Sequence, residues 1–370
     1  MTRYNRSMGQ PQTIAIAGGG VIGLACALAM RQRGHAVTVF EAGNAAREAS
    51  WAAGGMLAAD DPENPTELLP LSRYSRSLYP EFLRTVESLS GMTVPLRTTE
   101  TLQIAEPDHP LSAGRRLAPE EMRTLIPELA ADAGPFFLLE EHSLDPRDLG
   151  AALTAAAVAS GVSLQEQTRL LGAEPDGDDV RITTSRGTLH ADAIVNACGA
   201  WAATLDNELA VKPSKGQMIA VAQPKDHPLT RVLRSPGVYI IPRDRHRIVI
   251  GATLENAGFS KTLSEEGLGA LRSRAARLWP PAASAPLLEH WAGLRPVTPD
   301  AVPILGRCDS NRPLWLATGH YRNGILLAPA TGQILADLLD GRPPVVELAA
   351  FDPRRAGIAR ACDKPFAAAL

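Results

Sequence analysis

Two arginines stand in sequence contexts suited to ligand chemistry. Arg295 lies in His290-Trp291-Ala292-Gly293-Leu294-Arg295-Pro296-Val297-Thr298-Pro299-Asp300. A guanidinium among small and apolar residues needs an anionic partner if it is buried. It either clamps a ligand carboxylate through two parallel hydrogen bonds or makes a structural salt bridge. Arg322 lies in Gly319-His320-Tyr321-Arg322-Asn323-Gly324, between an apolar run and a helical pattern. That is the carboxyl end of an expected parallel strand, where ligands of open α/β sheets bind. Tyr239 can offer a phenolic hydroxyl to a carboxylate or serve as a core or rim tyrosine. His320 reads as packing against a ligand rather than as an acid or base. There is no nucleophile-elbow triad, no Walker loop and no zinc spacing.

A second constellation is built from glycine. Gly18-Gly19-Gly20-Val21-Ile22-Gly23 fits G-x-G-x-x-G and follows the apolar run Thr13–Ala17. Gly18 permits the tight turn, Gly20 lets backbone approach a pyrophosphate, and Gly23 lets the helix pack on the strand. The helix N-terminus then offers free N–H groups to phosphate. Ala36–Phe40 reads as the next strand, with Glu41 at its end to accept ribose hydroxyls. Residues 45–59, AAREASWAAGGMLAA, are small enough for backbone to approach a flat ligand.

These groups need elements to hold them. Helical spacing covers Leu71–Leu89, Asp145–Ser160, Leu263–Trp279 and Ile325–Leu339, with Pro119–Leu125 as a short helix. Thr98–Ile104, Val162–Gln167, Ala193–Trp201 and Leu314–Thr318 read as strands, the third ending in a tight turn. Asp176-Gly177-Asp178 marks a hairpin. Lys215–Val221, Gly237–Pro242 and Arg247–Thr253 read as an antiparallel sheet. Asp60–Pro70 is acidic and proline-rich, a loop and a candidate lid. Residues Met1–Gln12 are polar and expected to be disordered. The fold class is α/β: a Rossmann-type domain over 11–90, 140–212 and 292–345, interleaved with an α+β substrate domain over 91–139 and 213–291 built on the antiparallel sheet.

The 370 residues suit two domains, and a net charge of −3 gives no electrostatic case for nucleic acid or an anionic membrane. The apolar run near Ile14–Met30 is broken by glycines and fits strand–helix context better than a bilayer span. The four cysteines (Cys26, Cys198, Cys308, Cys362) match no metal spacing and suit reduced thiols in the cytoplasm.

Taken together the motifs resemble the D-amino-acid oxidase superfamily of FAD enzymes, and within it the glycine oxidase group of thiamine biosynthesis. The likeness runs from Thr13 to Leu339. It rests on GGGVIG, FEAG, ASWAAGGML, VYIIPR, VIGATLE, WAGLRPVTPD and GHYRNGILLAPATG. The resemblance implies an FAD cofactor. Gly18, Gly20, Val21, Ile22 and Gly23 would form the pyrophosphate turn, with Glu41 and Ala42 on the adenosine ribose and Leu170 on the adenine. Ala49, Ser50, Gly54, Gly55 and Met56 would line the flavin. His320, Tyr321, Arg322, Asn323, Gly324, Ile325 and Leu326 would wrap the isoalloxazine edge. Arg295 would clamp the substrate carboxylate, assisted by Arg322 and Tyr239. Gly293 stands near the position where sarcosine oxidases with covalent flavin have a cysteine, which implies noncovalent FAD. Leu254 replaces a methionine of some glycine oxidases, and Trp51 is bulky in a segment of small residues.

The implied reaction moves a hydride from the α-carbon of glycine, sarcosine, D-alanine or D-proline to flavin N5. No protein acid or base is required. The imine hydrolyses to a 2-oxo acid and ammonia or amine, and oxygen accepts the electrons to give hydrogen peroxide. The implied partners are a small amino acid, molecular oxygen and further copies of the chain, often as a tetramer. Two other readings share these motifs: a D-amino-acid dehydrogenase that uses a quinone, and a flavoprotein subunit that needs a partner.

Overall fold

Buried parallel strands read as near-continuous apolar runs, because helices cover both faces. Ile14, Ile16, Val37 and Val39 are such residues, and all four are within 3% of complete burial. The computed structural model describes residues 10–104, 113–205, 209–226, 228–308, 313–355, 357–358 and 366–367. Its first sheet has six strands, in the order Ile304–Arg307, Leu314–Thr318, Ala193–Asn196, Thr13–Ala17, Ala36–Phe40 and Ser163–Gln165. All neighbours are parallel except Ile304–Arg307, which runs antiparallel at the edge.

The helices Val21–Gln32, Leu69–Ser90, Pro146–Ala159 and Gly324–Leu339 build a core against this sheet. Asp145 caps the third of them, its carboxylate accepting the Arg147 N–H at 2.9 Å. Gly332 is where the last helix meets the first. A Cβ there would lie 2.6 Å from the Ala25 carbonyl oxygen.

An eight-stranded sheet carries the rest of the chain. Its order is Leu287–Val297, Lys212–Ala222, Arg247–Gly251, Val238–Pro242, Val232–Ser235, Thr101–Ile104, Phe136–Leu139 and Arg115–Arg116. The helix Glu265–Leu278 packs on it through Leu271, Ala275 and Leu278. The segments of the two sheets alternate along the chain. A third, four-stranded sheet joins Leu170–Asp176, Asp179–Thr184, Gly187–Ala191 and Phe366–Ala367. Only its first hairpin is visible as a turn signal in the sequence.

Four expectations change. Gln12 is buried and paired rather than disordered: its N–H donates to His35 Nδ1 at 3.1 Å and its carbonyl accepts from the Ala36 N–H at 2.8 Å. Residues 1–9 lie outside the described part. The Asp60–Pro70 loop ends early, because Thr66–Leu68 forms a 3-10 turn and a helix starts at Leu69 with Pro70 in its first turn. Proline is tolerated there because its missing N–H would have no intrahelical partner. The Ala193–Trp201 strand stops at Asn196, and Gly199–Trp201 is a 3-10 turn.

The thiols are not all reduced. Cys26 and Cys198 are free, whereas Cys308 is disulfide-bonded. Cys362 lies outside the described residues. A disulfide needs a pair of Cα atoms a few ångströms apart, a proximity set by the fold and not by spacing in sequence. Among the described residues no helix is long and apolar enough to cross a membrane.

Candidate functional site

The parallel strands end together, at Ala17, Phe40, Asn196 and Thr318. A cavity of about 500 Å³ opens at that edge, and the antiparallel sheet completes its wall. It is lined by Gly18, Gly20, Val21, Ile22, Glu41, Ala42, Ala49, Ser50, Gly54, Gly55, Met56, Leu170 and every residue from His320 to Ile325. Tyr239 and Arg295 line it as well. Two expected residues do not. Gly23 sits behind the turn, where a Cβ would lie 1.9 Å from the Gly18 carbonyl oxygen. Leu326 is buried behind the wall, its carbonyl accepting from Ser75 Oγ at 2.7 Å.

The glycine turn is shaped for a dinucleotide. Gly18 has φ +104°, and a Cβ there would meet the Ala197 carbonyl oxygen at 2.5 Å. Glu41 is aimed by two backbone donors: Gly19 N–H to Oε2 at 2.9 Å and Gly43 N–H to Oε1 at 2.8 Å. A carboxylate held this way keeps lone pairs for ribose hydroxyls. At the helix N-terminus the Val21 N–H donates to Ser50 Oγ at 2.9 Å, which ties the turn to the next wall segment.

That segment is the short helix Ala49–Ala52 and the chain through Met56. Gly293 faces it, and a Cβ there would lie 2.5 Å from Ala52 Cβ, so the sheet reaches it only through glycine. Trp291 Nε1 donates to the Ala52 carbonyl at 3.2 Å. Arg243, which the sequence reading gave no role, fixes the far end. Its Nη2 donates to the Gly54 carbonyl at 2.6 Å and its Nη1 to the Leu144 carbonyl at 2.8 Å. Burial pulls its pKa down to about 10, opposed by Asp145, so it stays charged at neutral pH. Trp51 does not intrude on the cavity. Its ring stands edge-on to Trp291 with centroids 6.2 Å apart, and the Arg147 guanidinium lies 3.6 Å from its centroid. Leu254 is not in the wall either, being 70% exposed.

At the other end Arg295 and Tyr239 project from neighbouring parts of the antiparallel sheet, each seated on a glycine. Arg295 pairs across the strands with Ser214, and its guanidinium lies over Gly216, where a Cβ would be 2.3 Å from Nη2. Tyr239 pairs with Gly251, where a Cβ would be 2.6 Å from the ring. Sequence reading missed both glycines, because a strand glycine has no signature until the strand register is known. Arg295 Nη1 donates to the Thr253 carbonyl at 3.3 Å, and among the described residues no carboxylate stands within ion-pair distance. Arg322 differs. Its Nη2 lies 2.5 Å from Glu63 Oε2 and 4.0 Å from Asp61 Oδ2. Burial opposes its charge, but these carboxylates outweigh burial and raise its pKa.

The acidic segment that holds them is fastened down. Asp60 accepts from Arg73 at 2.6 Å and Arg76 at 3.0 Å, and Asn64 exchanges hydrogen bonds with Asn323. The turn carrying Arg322 is tied to the Arg295 strand by Tyr321 N–H to the Pro296 carbonyl at 2.9 Å. The helix Gly324–Leu339 begins at the cavity and turns its positive end toward it.

His320 is buried, and its Nε2 lies 3.0 Å from Thr331 Oγ1. Burial pushes its pKa from 6.5 down to about 3, so it is neutral and unsuited to shuttle protons near pH 7. The unfolded chain takes up this proton near pH 6.5 and the folded chain does not. Its stabilising effect is therefore full above pH 6.5 and is lost as pH falls toward 3. Between pH 6.5 and 5 the loss is about 2 kcal/mol, at about 1.4 kcal/mol per unit. Denaturant titrations at pH 7 and 5 should show this much less acid sensitivity in His320→Asn than in the parent. Equal sensitivity would mean that the imidazole is not held neutral.

Residues 13–338 match the FAD dependent oxidoreductase family. The chain is 36% identical to the glycine oxidase of Geobacillus kaustophilus, over 92% of this chain and 96% of that protein. A crystal structure of glycine oxidase from the same organism superposes with a TM-score of 0.87, at 33% identity, covering 93% of this chain and 99% of that one. The chain is 38% identical to the bifunctional protein ThiO/ThiG of Trichormus variabilis over 88% of its own length, and spans 52% of that relative. The glycine cradle, the braced Glu41 and the small-residue wall fit FAD as the cofactor. The chain belongs to the FAD dependent oxidoreductase family and, within it, to the relatives of glycine oxidase.

Proposed function

We propose that the protein oxidatively deaminates glycine and small amines or D-amino acids such as sarcosine, D-alanine and D-proline, with oxygen as acceptor. The observation that carries this is Arg295: a guanidinium in the cavity wall, seated on Gly216, with no carboxylate among the described residues to neutralise it. A ligand carboxylate is the missing partner, and a bidentate grip would fix the α-carbon in one orientation. Tyr239 adds a hydroxyl at the same end. When bound, FAD supplies the two-electron acceptor. The neutral His320 leaves no imidazole acid or base at the site among the described residues, which fits a role limited to orientation and charge placement. The N-terminus of Gly324–Leu339 favours negative charge that builds above it.

FAD is held noncovalently in this reading. Among the described residues the cysteine lining the cavity is Cys198. Burial first, and Glu41 second, push its pKa up to about 12, which keeps it a thiol. The likeness to a ThiO/ThiG protein supports a place in thiazole formation for thiamine, and a homo-oligomer belongs to the same reading.

Peroxide release from the purified yellow protein in air tests it, with glycine, sarcosine, D-alanine, D-proline and L-alanine as substrates. Release with the first four and none with L-alanine is expected. Flavin bleaching without oxygen, but no peroxide in air, would make the protein a dehydrogenase. Neither signal would leave a flavoprotein that needs a partner.

A further inference from the structure

Two ion pairs stand behind the wall that carries Arg322. Arg322 is paired with Glu63 at 2.5 Å, and Arg234, buried, is paired with Glu141 at 3.1 Å. Asp61 lies between the pairs and lines the cavity. Its Oδ2 is 4.0 Å from both Arg234 Nη1 and Arg322 Nη2, while its Oδ1 accepts the Glu63 N–H at 3.1 Å. Each guanidinium already has a closer carboxylate, and although burial pushes the Glu141 pKa up against the pull of Arg234, Asp61 is the carboxylate of the group that faces the cavity. The cavity therefore offers a substrate a cation at Arg295 with no carboxylate partner among the described residues and, near Arg322, a guanidinium already paired with Glu63 beside the Asp61 carboxylate.

We propose that Asp61 and Glu63 make this wall a charge filter, which accepts amino acids with one anionic group and rejects those with a second. The inference rests on Arg295 as the carboxylate clamp. With Arg322 neutralised, a second carboxylate would meet Asp61 without a free cation, and like charges brought together oppose binding strongly. Asp61 and Glu63 are thus specificity determinants for the size class already proposed, acting on charge rather than volume.

The test uses ligands of one shape and two charges. Malonate and its monoamide, malonamate, are titrated into the holoenzyme, and the shift of the visible flavin band reports binding. Malonamate should bind at least tenfold more tightly than malonate. In Asp61→Asn, and in Glu63→Gln, which frees the Arg322 guanidinium, the gap should shrink at least fivefold. N-(carboxymethyl)glycine and N-(carbamoylmethyl)glycine, compared by kcat/KM, should give the same order. Equal binding of the two ligands by the parent, binding of neither, or a gap that both variants preserve would overturn the filter. Glycine turnover is measured beside it. Its failure would overturn the proposed reaction, and the malonate comparison would still decide the filter.

Discussion

Replacing Arg295 by alanine should lower kcat/KM for glycine by about 30- to 5000-fold, the equivalent of about 2–5 kcal/mol for breaking a buried charge pair. The loss should appear mainly in KM, because in the proposed role the guanidinium would grip the carboxylate both before and during reaction. FAD content should not change, since Arg295 stands on the antiparallel sheet, away from the glycine turn and Glu41. Arg295→Lys should recover part of the loss, keeping the charge without the planar fork. Gly216→Ala tests the seat rather than the clamp. The new Cβ would meet the far end of the Arg295 side chain at 2.3–2.5 Å. That end can swing away, so stability should hold while KM for glycine rises at least tenfold. Steady-state peroxide release and absorbance at the flavin band measure all three. Normal kinetics in Arg295→Ala would remove it as the clamp. Normal kinetics in Gly216→Ala alone would mean that the guanidinium grips from another position.

Arg295 and its seat on Gly216 differ in how much the sequence says about them. Thr13–Ala17 and Ala36–Phe40 are legible to the residue, because buried parallel strands are short apolar runs bounded by turn signals. Glu41 is legible because its place after the second strand follows from the glycine turn. Arg295 and Arg322 stand out as charges in apolar company, and the structure brings them to one cavity with Tyr239. What separates them is invisible in one dimension. Arg322 is paired with Glu63, more than 250 positions away, and among the described residues no carboxylate pairs with Arg295. The same holds for Arg243, which braces Gly54 from 189 positions away. Gly216 and Gly251 become meaningful only through cross-strand register, and Cys308 through contacts made by folding. Local pattern specifies elements; partners far apart in sequence decide charge state and clearance, and those require the fold.

Gly23→Ala should cost the protein its cofactor. The added Cβ would stand 1.9 Å from the Gly18 carbonyl oxygen, 3.1 Å from its carbon and 3.4 Å from Ile16 Cγ2. None of these atoms is the end of a flexible side chain. Two belong to the backbone of the turn and the third to a strand residue with no exposed surface. The helix Val21–Gln32 must therefore move outward by more than 1 Å to reach ordinary contact. That opens the gap between its N-terminal N–H groups and the turn that would hold the pyrophosphate. Overpacking of this kind costs about 1–3 kcal/mol in stability, and the displaced helix N-terminus should weaken FAD binding at least a hundredfold. Gly269→Ala is the control. Gly269 lies inside the helix Glu265–Leu278, where a Cβ meets nothing within 4 Å. There alanine should stabilise by about 0.5–1 kcal/mol through helix propensity. FAD occupancy after purification, FAD titration of the apoprotein and thermal melts separate the two glycines. A Gly23→Ala protein that purifies fully yellow with the parent's FAD affinity would show that the helix needs no such close approach. A Gly269→Ala protein that loses flavin would show that the readout follows general instability and not the turn.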